Sequence, residues 1–273
     1  MKYLFIITII FYLTSTTGYI AYLFFQKNFL HKTGYYLLFA GFLCHCATIA
    51  YGFIESGHIP VNNLHETLSI TGLAIAGVFL VFHYKFKLKI LGVYAAPLVT
   101  FVMIAASSLS SEPTQTKNIF NSLWFVIHII SVFIGEASFA LACGVGLLYL
   151  VQEKAIKTKN YGFFFQRLPS LDLLDTTGYA CIITGFTMLT IGLVTGFVYA
   201  KFIWGRIWVW DPKEVWSCIS WLLYAALLHG RLAIGWRGRR AAIMSIIGFA
   251  VLLFTFFGVN FLLTGHHEQF TRW

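Results

Sequence analysis

The sequence predicts an all-α, polytopic membrane protein with about eight transmembrane helices and both termini on the extracytoplasmic side. Three observations lead there. Apolar residues make up 59% of the chain and charged residues only 11%, with a mean hydropathy of +0.78, well outside the range of soluble domains. The apolar positions gather into eight runs, each close to the roughly 20 residues that cross a bilayer as a helix. Lysine and arginine concentrate in alternate connections between those runs.

The first run, at about 3–24, follows Lys2 but has no small-residue cleavage site and continues through "GYIAYLFF", so it is a retained helix and not a signal peptide. The next runs lie at about 34–53, 67–84 and 90–109. A fifth at about 122–150 carries His128 near its start, and a sixth covers about 176–199. The last two lie at about 214–233 and 241–263. Nothing is left over for a soluble domain, so residues 1–273 read as a single transmembrane domain.

Short loops rich in Lys and Arg stay cytoplasmic. The first, third, fifth and seventh connections hold Lys27, Lys32, Lys85, Lys87, Lys89, Lys154, Lys157, Lys159, Arg167, Arg231, Arg237, Arg239 and Arg240, thirteen of the 19 basic residues. Lys2, Lys117, Lys201, Arg206, Lys213 and Arg272 fall on the other side. The net charge of +9 is thus mostly topogenic, and its scatter over separate loops excludes a nucleic-acid-binding face.

The five cysteines, Cys44, Cys46, Cys143, Cys181 and Cys218, fall inside predicted helices with no CxxC or CxxCH spacing, which leaves no thiol-redox motif and no covalent haem attachment site. Cys44 and Cys46 flank His45, but residues two apart on a helix face different directions, so packing outweighs metal binding there. The loop "ESGHIPVNNLHE", Glu55 to Glu66, has turn formers, two histidines and no basic residue.

The segment "WGRIWVWDPKEVW", Trp204 to Trp216, opens the seventh span. Asp211 caps the helix, Pro212 fits the first helical position, and Glu214 stands where a capping-box acid reaches back. Gly205 permits a tight turn before it. Interfacial belts explain one or two tryptophans. Trp204, Trp208, Trp210 and Trp216, beside Lys201, Arg206 and Lys213, equally suit a platform for a flat conjugated ligand that carries carboxylates.

Depth sorts the nine histidines. His128 lies about 9 Å below the outer edge of span five, and His266 and His267 follow span eight on the same side. His229 is roughly 22 Å further along helix seven than Glu214, near the cytoplasmic edge, and His83 reaches a similar depth in span three. His45 has no evident partner, and His58 and His65 are spare outer ligands. Two imidazoles holding one iron from opposite faces is haem chemistry, and haem is also a flat ring with two propionates.

The run "WGRIWVWDPKEVWSCISWLLYAALLHGR", Trp204 to Arg231, resembles the tryptophan-rich WWD signature of haem-handling proteins of cytochrome c biogenesis, the CcsA/ResC family of System II. The family's "WGxxWxWDPKExW" is matched at Trp204, Gly205, Trp208, Trp210, Asp211, Pro212, Lys213, Glu214 and Trp216. Its "WxxYaxxLHxR" is matched at Trp221, Tyr224, Leu228, His229 and Arg231. "NLHETL" at Asn63 to Leu68, "LWFVIHI" around His128 and "FGVNFLLTGHH" near the C-terminus resemble further family segments. Departures are Ile207, where an aromatic residue is common, His65 in place of a tyrosine, and "GHHEQF", which leaves His266 as a rival to His267.

The resemblance implies a protein that receives haem on the cytoplasmic side and presents it outside to the CxxCH of apocytochrome c, as a subunit of a cytochrome c haem lyase acting with a CcsB/ResB-like membrane partner. It implies non-covalent haem b with bis-histidine ligation. His128 and His267 are then the outer axial ligands, with Trp204, Trp208 and Trp210 walling the ring and Asp211 at its edge. His229 is an inner ligand, His83 an internal candidate for its second partner. The membrane would be a bacterial inner or a thylakoid membrane, with the tryptophan segment facing the periplasm or lumen. Two other readings stand beside it: an electron-transfer membrane protein of cytochrome b type, and a System I haem-handling subunit.

Overall fold

The structure, a computed structural model, describes residues 2–57, 59–109, 122–159 and 162–259. Its helices are α1 (Lys2–Phe25), α2 (Asn28–Ser56), α3 (Leu64–Phe86), α4 (Gly92–Ser107), α5 (Leu123–Lys157), α6 (Leu171–Trp204), α7 (Pro212–His229) and α8 (Arg239–Leu253). A 3-10 turn, Lys89–Leu91, leads into α4. Single π turns, Gly230–Ile234 and Phe254–Gly258, extend α7 and α8. With those turns the described residues contain eight spans long and apolar enough to cross a membrane, and no strand. The chain is an all-α integral membrane protein, as its hydropathy predicts.

The helices overrun the apolar runs at their polar ends. α2 begins at Asn28 and α5 continues to Lys157, because helical hydrogen bonding carries on where hydropathy fades. α6 starts where the Ser170 hydroxyl accepts from the Leu173 amide at 3.3 Å.

α5 and α6 lie closest together, along a face of α6 from which side chains are missing. Gly178, Gly185, Gly192 and Gly196 recur at spacings of seven and four, which keeps them on one side of the helix. They meet Val145, Phe139, Val132 and His128 of α5 in turn. A Cβ on Gly185 would stand 2.6 Å from the Phe139 ring, so only glycine allows this approach. Elsewhere, polar pairs tie helices inside the apolar body. Thr16 and Thr100 share a hydrogen bond of 2.8 Å between α1 and α4, and Ser15 donates to the Gly34 carbonyl at 2.7 Å.

A buried cluster of Val61, Leu64, Leu68, Ala106, Phe125, Phe133, Tyr199 and Phe256 joins the start of α3, the end of α4, the start of α5, the end of α6 and the π turn after α8. These segments, with the connection 205–211, make one end of the bundle, the tryptophan end. Lys27, Lys87, Lys89, Lys157 and Arg239 mark the opposite, basic end.

Candidate functional site

At the tryptophan end α6 stops at Gly205, whose φ of 70° places it in the left-handed region with its amide bonded to the Lys201 carbonyl at 3.0 Å. The chain then folds back through Trp208 and Trp210 into α7. The predicted capping box is present: Asp211 Oδ1 accepts from the Lys213 amide at 2.9 Å, and Glu214 Oε2 accepts from the amides of Asp211 at 3.3 Å and Val209 at 3.1 Å. Both acids are buried, and this geometry gives them the work of shaping the connection.

Trp208 packs edge-on to Trp210, with ring centres 5.5 Å apart, and leans on Phe197 of α6 at 5.7 Å. Its indole N–H is buried with no hydrogen-bond partner in the structure. Trp210 is 77% exposed, although its backbone φ is +59°. A bulky residue held there stores about 1–3 kcal/mol of strain, of the kind that clusters at ligand-binding segments. Trp210→Gly is therefore expected to stabilise the protein by about 1 kcal/mol, read as a higher Tm in detergent, while removing the exposed indole. An unchanged Tm would show that the segment stores no such strain. Trp216 turns inward against Phe254 at 4.6 Å. Trp204 closes α6, its side chain lying outside the described residues.

His128 sits on α5 against this end of α6. Its Nδ1 lies 2.7 Å from the Gly192 carbonyl, a distance that requires Nδ1 to carry the proton and leaves the ring's lone pair on Nε2. A Cβ on Gly196 would meet Nδ1 at 2.8 Å and Cε1 at 2.9 Å, so the imidazole is seated in a slot that exists because α6 has no side chain there. Ligating histidines are commonly tethered in this way through the other nitrogen, which fixes both tautomer and ring direction. The tether and the slot fix the tautomer and ring direction of His128, and Trp208 keeps an unused N–H.

Sequence reasoning passed over one residue here. Glu136 lies two turns below His128 on α5 and interacts electrostatically with Lys213, the second residue of α7. A single acid inside the apolar run "SVFIGEASFALA" is itself a functional signal. Lys213 is half-buried, whereas Lys201 and Arg206 are exposed.

The remaining histidines separate. His229 is exposed, in line with Leu222 and Ala226 on the outward stripe of α7. The π turn follows it directly, and Arg231 within that turn grips Asp175 of α6 at 2.6 and 3.0 Å. His83 was matched to His229 by height alone. Its ring neighbours in the structure are His31 at 5.1 Å, Tyr35 at 4.8 Å and Phe79 at 5.6 Å. His45, without an evident partner in the sequence, is buried between Tyr12 Oη at 3.2 Å and Ser69 Oγ at 3.0 Å, which makes it a structural bridge. His65 Nδ1 donates to the Ala106 carbonyl at 2.7 Å. His58, His266 and His267 lie outside the described residues.

Residues 35–267 match the family model described as Cytochrome C assembly protein. The chain is 32% identical over 263 residues to the cytochrome c biogenesis protein CcsA of Guillardia theta, covering 87% of this chain and 86% of that protein. It is 34% identical over 236 residues to CcsA of Prochlorococcus marinus strain MIT 9301, covering 78% and 76% respectively. Among solved structures, the cytochrome c heme lyase CcmF superposes with a TM-score of 0.67 at 16% identity, over 98% of this chain and 48% of that one, a likeness of fold.

Proposed function

The chain belongs to the CcsA branch of the cytochrome c assembly protein family and is a membrane protein of cytochrome c biogenesis, and from that premise we propose that it is the haem-handling subunit of a System II cytochrome c synthetase. In this reading haem is cargo. It is taken up on the cytoplasmic side and presented at the tryptophan end, facing the periplasm or lumen, to the CxxCH of apocytochrome c.

The observation that carries the reading is the seat of His128. Its tether to Gly192 and its slot at Gly196 hold the imidazole at a fixed height and direction, which supports its role as one axial ligand. His267 supplies the other, Trp204, Trp208 and Trp210 wall the ring, and the Asp211–Glu214 box holds their backbone. Lys213, half-buried at the start of α7, pairs with a propionate. The bound haem contributes its two vinyl groups as acceptors for the cysteine thiols. The protein's own part is to orient those groups and to keep water from the iron, which favours the reduced state that thioether formation needs.

His229 is the ligand of an inner haem position. An exposed histidine on an otherwise apolar, membrane-facing stripe calls for a second ligand from outside the chain, and a CcsB/ResB-like partner is the source that fits.

The test is the reduced absorption and pyridine-haemochrome spectrum of the protein purified with that partner. His128→Gly is expected to lose the outer haem, and added imidazole to restore it. Full haem content in His128→Gly without imidazole would remove His128 from the iron and the reading with it.

A further inference from the structure

We infer that His31 and His83, at the basic end of the bundle, form a binding site for one divalent transition-metal ion, distinct from any position haem occupies. His31 stands in the first turn of α2 and His83 in the last turn of α3, so consecutive helices bring them together. His31 is 6% exposed, yet both its ring nitrogens are buried without a hydrogen-bond partner, and so is Nδ1 of His83. Each of these nitrogens can present its lone pair to an ion in the tautomer that protonates the other nitrogen of its ring. One buried and one half-buried imidazole with three buried, idle nitrogens are a costly way to fill space that phenyl rings would fill without penalty.

The geometry selects a small ion. Two imidazoles on one tetrahedral ion, with metal–nitrogen bonds of about 2 Å, bring their ring centres to roughly 5 Å, whereas a trans pair across a porphyrin stands roughly 6 Å apart. The centres of His31 and His83 are 5.1 Å apart and their planes are inclined at 33°. Tyr35 at 4.8 Å and Phe79 at 5.6 Å from His83, with Tyr22 at 5.4 Å from His31, pack aromatic rings around the pair. Two neutral imidazoles suit zinc, copper, nickel or cobalt rather than the oxygen-seeking magnesium or calcium. No group of three or more His, Cys, Asp or Glu able to hold a metal occurs among the described residues, so water completes the coordination.

Lys32 and Lys89 act on His31 electrostatically, and Lys89 Nζ is held by Asn28 Oδ1 at 3.1 Å. These cations weaken the site, and that gives the test a sign. The untagged full-length protein, purified in detergent and stripped with a chelator, is titrated with Co2+ followed by visible absorption, then with Zn2+ in competition. About one equivalent of Co2+ in a tetrahedral spectrum, displaced by Zn2+, is expected, and none in His31→Gln or His83→Gln variants whose elution and haem content match wild type. Lys89→Gln is expected to tighten Co2+ binding a few-fold, because a like charge is removed. Uptake that persists in the doubly substituted protein, no saturable uptake in the wild type, or weaker binding in Lys89→Gln would each overturn the inference.

Discussion

Arg231→Met is expected to destabilise the protein by about 3–5 kcal/mol, the usual cost of stranding one member of a buried ion pair. The Arg231 guanidinium binds both Asp175 oxygens, at 2.6 and 3.0 Å, with side chains only 9% and 15% exposed. Asp175 also accepts from the Gly238 amide at 2.8 Å, and Arg231 lies over the Tyr179 ring at 4.2 Å. One carboxylate thus ties the start of α6 to the π turn beyond α7 and to the first residues of α8. Removing the cation leaves that carboxylate without its bidentate partner, with only the Gly238 amide and the charge of Arg237 to offset its burial. The pair itself is a weaker contributor than this loss suggests, since an apolar replacement of both partners avoids the desolvation of each. Asp175→Leu combined with Arg231→Met should accordingly recover most of the loss. Thermal unfolding in detergent across the four members of this cycle checks both statements. A loss below about 1 kcal/mol in Arg231→Met would reduce the pair to the standing of an exposed one. The site consequence is local: Arg231 fixes the turn that follows His229, so the single substitution should also lower occupancy of the proposed inner haem position.

Hydropathy made the spans legible because each crosses the membrane once, and length alone reports that. The start of α7 was legible to the residue, because capping is local chemistry: Asp211, Pro212 and Glu214 state it within four positions. What depends on azimuth was not. Height along a helix paired His83 with His229, but the rotation of α3 turns His83 toward α2 and His31, while α7 presents His229 outward. His31 stands beside Lys32 at the polar start of α2, and nothing local in the sequence shows that its ring is buried. His45 found its partners through Tyr12 and Ser69, on other helices and far away in sequence. Glu136 was visible as a lone acid in an apolar run, and depth counting that began from the histidines missed it. Four tryptophans in one segment announced a platform without telling which indole is exposed. That follows from the positive φ at Trp210, which no residue type predicts.

Gly196→Ala should empty the proposed outer haem position nearly as completely as His128→Gly, by the opposite means. The His128 ring is clamped on one edge by the Gly192 carbonyl, 2.7 Å from Nδ1, and a methyl group at Gly196 would arrive 2.8 Å from that same nitrogen. Real Cβ atoms do not come so close, and the imidazole cannot yield without breaking the tether that orients it. Either the ring rotates and Nε2 leaves the iron, or α6 retreats and opens the glycine-lined seam with α5. Imidazole separates these outcomes from simple loss of a ligand. Added to Gly196→Ala it should restore nothing, because the displaced His128 still fills the slot. Added to His128→Gly combined with Gly196→Ala it should restore haem, because the new methyl then meets only a small ligand free to shift. Gly205→Ala is the control for glycine loss as such: its φ of 70° strains any side chain, yet nothing lies within 4 Å of the added carbon. It should cost about 1 kcal/mol of stability and leave the outer haem in place. Wild-type haem content in Gly196→Ala would show that α6 gives way freely, and the seat of His128 would then owe nothing to the missing side chain.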